Sequence, residues 1–179
     1  MRATRLILAA MVLGTALDAR MASAQCSDNA GSCSTTNTAS VSVGALVKLG
    51  MSATTTALTA PSVADIEAGA VIANAGPSFS VKANRAWTLN IKTTNAATWT
   101  YVGSNAGLKP ISDLTWSNAV AGTFTGIGTT DAVVTSGASA TNGASPAVFF
   151  RTVWAAGFTQ PSNAPGTYSL PIVFTLSAP

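Results

Sequence analysis

Apolar and polar residues alternate most strictly between Phe79 and Lys92 (FSVKANRAWTLNIK). Side chains two apart share a face of a pleated strand, so Phe79, Val81 and Ala83 form one apolar row and Trp87, Leu89 and Ile91 another. The two rows meet at Asn84-Arg85, a weaker turn signal than Asn-Gly. A tight hairpin, a kinked continuous strand and a sheet-to-sheet crossover all fit that junction. In each case Trp87 anchors a β core.

The same period recurs on either side. Val41, Val43, Ala45, Val47 and Leu49 alternate with smaller or polar neighbours, which predicts a long first strand over 41–49. Residues 51–61 have room for a second short strand, with Leu58 packing. The glycines and prolines of 61–76 favour a loop with a short strand at 70–72 over a helical turn. Trp99 and Tyr101 belong to a further strand after a turn at Asn95. Residues 108–117 read as a Pro-broken loop that leaves Trp116 the most exposed of the tryptophans, and 122–143 as a small hairpin. Pro146 to Trp154 (PAVFFRTVW) is apolar on both faces and reads as a central strand. In the closing segment Tyr168, Leu170, Ile172, Phe174 and Leu176 face one way, while Pro171, which has no N–H to donate, argues for an edge or a bulge. Nine or so short strands without a convincing helix predict an all-β fold, a two-sheet antiparallel Ig-like sandwich of roughly 7–10 strands.

The first 24 residues stand apart from this pattern. Arg2 and Arg5 precede an apolar run at 6–17, and Ala22-Ser23-Ala24 supplies a small-x-small site, so residues 1–24 read as a secretory signal peptide cleaved after Ala24. The run is short of the roughly 20 apolar residues that cross a bilayer. Gln25 stands before Cys26 where a lipoprotein signal has a small residue. Residues 25–40 are small and polar and read as a tether, leaving 41–179 as the sandwich domain. The expected location is therefore secreted, at the cell surface or in the outer envelope.

Removing the leader changes the charge balance. Of nine basic and six acidic residues, six and five remain after position 24, so the pI near 9.2 belongs largely to the leader. Nucleic acid, whose phosphates need a basic patch, loses its support as a partner. Charged residues make up 8% of the chain against roughly 25% in ordinary domains, and Ser, Thr, Asn and Gly carry the polarity instead.

Cys26 and Cys33 are the only cysteines, and in an exported chain an even pair most simply means a disulfide. The loop is short, so closing it contributes roughly 2.5 kcal/mol at most. Without a histidine, neither a Ser/His/Asp relay nor a His-ligated metal can be assembled. Asp65, Glu67, Asp113 and Asp131 match no calcium-loop spacing. Gly126-Ile127-Gly128 lacks the helix of a phosphate loop. No catalytic residue, metal or cofactor is expected.

Two motifs add a family likeness. Ala86-Trp87-Thr88-Leu89-Asn90-Ile91 resembles the first Trp-x-Leu motif of the WxL surface domains of bacterial cell walls. Gly166-Thr167-Tyr168 running into 173–179 resembles their closing segment, with Phe174 where those domains have the second Trp. The resemblance implies an exported Ig-like sandwich acting by adhesion or by contact with a wall polymer or glycan, with Trp87 and Leu89 as contact residues. Residues 81–87 are similar to BACON-type modules, and the Gly-x-Tyr ending to spore-coat-U-like and fimbrial subunits, which implies a fibre subunit joined by strand addition as the alternative. Trp99, Tyr101, Trp116 and Trp154 are the candidates for an aromatic platform holding a sugar face, the third possibility being a secreted carbohydrate-binding module. A core position is the simpler reading of each.

Overall fold

The computed structural model describes residues 31–103 and 106–179. The expected leader and Cys26 lie outside the described residues, so the leader and the Cys26–Cys33 pair remain expectations. The chain divides into two compact units, residues 1–42 and 43–179. Of the first, residues 31–42 carry no regular secondary structure.

The second unit is all-β, with antiparallel sheets in a sandwich-like arrangement. It begins with β1 (Val47–Met51), then α1 (Val63–Ala68), β2 (Val71–Ala83), β3 (Trp87–Thr93), β4 (Thr100–Gly103) and β5 (Leu114–Ser117). There follow β6 (Thr125–Gly126), β7 (Ala132–Gly137), β8 (Thr141–Ala144), β9 (Ala147–Val153), β10 (Gly166–Ser169) and β11 (Ile172–Ser177). One sheet runs β1-β2-β9-β5-β6 with β8 also on β2; a second runs β11-β3-β7; β10 and β4 form a separate pair.

The Asn84-Arg85 junction is a crossover. Its two alternating rows, β2 and β3, enter different sheets and face each other across the core rather than pairing. Phe79, Val81 and Ala83 on β2, Val148 and Phe150 on β9, and Leu114 and Trp116 on β5 are buried together with Trp87, Leu89 and Ile91 on β3 and Val134 on β7. Each fully buried side chain of this kind contributes roughly 1.5–3 kcal/mol relative to exposure.

Several elements depart from the expectations. β2 is thirteen residues long and begins well before Phe79. Gly76-Pro77 disguises it, because a register shift between Ala75 and Ser78 carries the proline through without a ladder N–H. A Cβ at Gly76 would lie 2.5 Å from the Val148 carbonyl oxygen, so this approach of strands needs glycine. Residues 63–68 form a helix after all, closed at its start by a reciprocal Ser62–Asp65 capping box and at its end by left-handed Gly69. The Asp65 carboxyl, hydrogen-bonded to Ser62, lies below its ordinary pKa. Beyond Met51, which ends β1, residues 52–61 contain no strand, and β6 and β7 pair with β5 and β3 rather than with each other. Eleven strands, some of only two to four residues, are present among the described residues, in keeping with the all-β sandwich of short strands that was expected.

The first strand is shorter than the alternation suggests. It pairs with β2 from Val47↔Ala83 to Met51↔Phe79, while Val41 and Val43 are 89% and 70% exposed. Asn84 marks the limit. Its side-chain oxygen accepts from the Leu46 N–H at 2.8 Å, and its amide donates to the Gly44 carbonyl at 2.9 Å. β9 is central, as expected, although only Val148, Phe150 and Thr152 are fully buried and the alternate face is half-covered. Pro171 does mark an edge: among the described residues β11 pairs with β3 alone, and the ladder changes partner at the proline, from β4 on β10 to β3 on β11.

Replacing Asn84 with Ala should raise hydrogen exchange at the Leu46 amide at least about tenfold and lower stability by about 1 kcal/mol. Leu89 in the core should keep its protection. An unchanged Leu46 rate would mean that another contact holds residues 44–46.

Candidate functional site: an uncharged cleft and an aromatic pocket

The sequence candidates separate into two groups. Trp87, Leu89, Trp99 and Trp116 are all core residues, while Tyr101 and Trp154 are half-buried. Trp116 is not in a loop; it stands on β5 opposite Phe150 and is only 8% exposed. The Trp87 indole lies against Gly137 on β7, where a Cβ would come within 2.6 Å of the ring carbon Cε2. These two rings and Leu89 therefore fill the sandwich.

The remaining aromatics gather at one end. Tyr101 and Tyr168 pair across β4 and β10 with ring centroids 4.9 Å apart, and Trp154 meets Tyr168 edge-on at 6.3 Å. The Tyr101 hydroxyl donates to the Pro165 carbonyl at 2.8 Å, and its ring lies against Gly107 and Gly166, where a side chain would collide with it. The Trp99 indole N–H donates to the Pro110 carbonyl at 2.9 Å. Trp99 and Tyr168, together with Leu58, separate two cavities.

The smaller cavity, about 370 Å³, is walled by Trp99, Trp154 and Tyr168 beside Lys109. Lys109 was not a sequence candidate, yet it is only 1% exposed. Its ammonium donates to the Val153 carbonyl at 2.5 Å and to Asp113 at 3.1 Å, and it sits 3.9 Å from the centre of the Trp154 ring. Burial lowers the Lys109 pKa, and the Asp113 carboxylate opposes that shift. Tyr168 is shifted upward, by burial first and then by Tyr101, against its hydrogen bond to Ala164. Thr152 Oγ1 and Trp154 Nε1 are shut off from solvent and make no hydrogen bond within the protein. This pocket therefore combines ring surface with two unpartnered polar groups, the Thr152 hydroxyl and the Trp154 N–H.

The larger cavity, about 580 Å³, runs beside β11. One wall comes from Tyr168, Leu170, Ile172 and Phe174, the other from Met51 and residues 53–58, and Leu114 and Phe150 lie on the floor. None of its lining residues is charged. Phe174 bridges the sheets, its ring 4.6 Å from that of Phe79, but it stays half-buried on its open side. Among the described residues no backbone hydrogen bond joins β11 to any strand but β3, so one edge of it has unpaired N–H and C=O groups. The strict alternation at 168–176 signals these residues. On the opposite wall the sequence signals Leu58 alone, which packs against the core as expected.

The carboxylates are dispersed. Asp65 caps α1, Asp113 pairs with Lys109, and Asp131 pairs with Lys92 at 3.2 Å. No group of three metal-ligating side chains occurs among the described residues, and no helix there is long and apolar enough to cross a membrane. No protein-family model and no curated protein matches the chain.

Replacing Asp113 with Asn should destabilise the fold by about 3 kcal/mol in urea denaturation, because it leaves the Lys109 charge buried without its counter-ion. Doubling the change with Lys109→Met should restore most of that loss. A double variant as unstable as Asp113→Asn would show that the ion pair is not the cause.

Proposed function

We propose that this is an exported, non-enzymatic protein of the cell surface or outer envelope that works as a structural subunit, accepting an extended strand of another polypeptide beside β11. One observation carries the reading: an unpaired strand edge borders an uncharged cleft of about 580 Å³, lined by apolar side chains and hydroxyls. Strand addition uses both halves of such a site, since the edge supplies main-chain hydrogen bonds and the cleft takes alternate side chains. Natural sheets usually blunt a free edge with charge or bulges. The run Ile172–Ser177 (IVFTLS) carries no charge, and only Pro171 precedes it.

Wall contact through Trp87 and Leu89, as the WxL resemblance implies, has less support. Both side chains would have to leave the core, at a cost of roughly 2–5 kcal/mol each. Contact with a glycan has a narrower basis in the smaller pocket, where Trp154 and Tyr168 offer partly open rings. On that second reading a soluble cell-wall glycan would quench tryptophan fluorescence, and Tyr168→Ala would abolish the change. A flat titration would remove it.

The strand-accepting reading is tested with a labelled synthetic peptide of alternating Thr and Val, ended by lysines for solubility. Fluorescence anisotropy should show saturable binding, weakened at least about tenfold by Leu170→Asp in a protein whose circular dichroism is unchanged. Absence of binding, or equal binding to both proteins, would count decisively against the cleft.

A further inference from the structure

Two lysines face each other across β1 and β2, since Lys48 and Lys82 are register partners, and β8 sets Asn142 opposite Lys82 on its other side. All three are exposed, in one row across the sheet. Directly opposed residues have Cβ atoms about 4.5–5.5 Å apart, and like charges at that spacing repel. Neither ammonium is relieved by a carboxylate, for the ion pairs among the described residues are Lys92–Asp131 and Lys109–Asp113. The row is one negative charge short, and Asn142 stands where that charge would act.

Asn142 is also the one asparagine of the chain that a glycine follows. The backbone nitrogen after an asparagine can attack its side-chain carbon where it lies outside a ladder, and glycine brings no side chain to hinder it. β8 meets both conditions. Its register on β2 slips between Ala144, opposite Val81, and Asn142, opposite Lys82, so Gly143 is the extra residue of a β-bulge and has no partner on β2. The Gly143 N–H donates to the Thr141 hydroxyl in a long bond of 3.4 Å, and the Asn142 side chain makes no hydrogen bond among the described residues. Nothing lies within 4 Å of where a Cβ on Gly143 would stand, which leaves room for a ring to close.

We infer that Asn142-Gly143 is a self-modification site whose product is the missing carboxylate. The Gly143 nitrogen gives up its proton and bonds to Asn142 Cγ. The bond from Cγ to the side-chain nitrogen breaks, and ammonia leaves with that proton. Water then opens the five-membered imide at one of its two carbonyls, giving aspartate or, with the peptide link running through the side chain, isoaspartate. The sum is hydrolysis of an amide, with nothing oxidised or reduced.

Both products place a carboxylate opposite Lys82, between neighbouring strands of one sheet. Isoaspartate adds one carbon to the backbone, and the bulge receives it where the register already slips. The new charge ties β8 to β2 and screens Lys82 from Lys48. A freshly made chain is therefore held less firmly at β8 than an aged one. The inference is independent of the reading of the cleft.

The test keeps the folded protein in neutral buffer at physiological temperature and follows its peptides by mass spectrometry. The peptide holding residue 142 should gain the mass difference between an amide and an acid and split into two chromatographic species, and Asn142→Gln should stop both changes. Asn142→Asp, which installs the carboxylate without ageing, should raise Tm by about 2 °C at low salt. Adding Lys82→Gln should remove most of that gain, as should high salt. A folded protein whose residue 142 keeps its amide would overturn the modification. An unchanged Tm for Asn142→Asp, or a gain that survives Lys82→Gln, would overturn the pairing with Lys82.

Discussion

The rest of the molecule depends on one event in the chain, the passage of β2 into β3 through Asn84-Arg85 without the two strands pairing. Had they closed as a hairpin, Phe79, Val81 and Ala83 would lie in the same layer as Trp87, Leu89 and Ile91, and neither row would have a cover. Because they cross over, the rows become opposing faces, and the apolar surface of each is removed from water by the other. Asn84 serves the crossover twice. Its backbone N–H donates to the Leu46 carbonyl at 3.2 Å while its side chain ties residues 44 and 46, so the turn also fixes where the first strand starts.

From that arrangement the cleft follows. β3 takes β7 on one side and β11 on the other, and among the described residues no further strand pairs with β11. Its apolar row is thus covered from the core side and open along the edge, which explains why Ile172, Phe174 and Leu176 are all half-buried while Leu89 and Ile91, one strand away, are sealed. The aromatic end is held differently. Tyr101 and Tyr168 stack across their own two-stranded ladder, glycines make room for the Tyr101 ring, and buried Lys109 joins Trp154 to Asp113. That network ties loops together where strands are short.

The hydrophobic pattern carried the fold class and the central position of β9, because those depend on which faces are apolar, and Pro171 carried the edge position of β11, because it has no N–H for a ladder. The pattern was less informative where a backbone rule breaks it. Gly76-Pro77 hides a continuous β2 behind what looks like a loop. The Ser62–Asp65 box builds a helix too short to show a periodic face. The alternation at 41–45 has the form of a strand but no partner within its own sheet, since pattern records what a segment is able to bury and not what lies beside it. The candidate site was legible in the same partial way. The tryptophans were visible, but their depth was not, and Trp116 is sealed because β9 and β5 pair in a register that sets it opposite Phe150. Lys109 gave no sign at all, for one lysine in a polar stretch acquires meaning only through Trp154 and Asp113, which the fold brings to it.

Pro171 has a mechanical consequence. It interrupts the closing run between two separate ladders, and its carbonyl accepts from the Thr93 hydroxyl at 2.8 Å, so the joint is pinned without being zipped. Force or thermal fraying that opens the β4–β10 pair need not travel into β11. The tyrosine end can loosen while the strand bordering the cleft keeps its shape, as a door can swing while its frame stands.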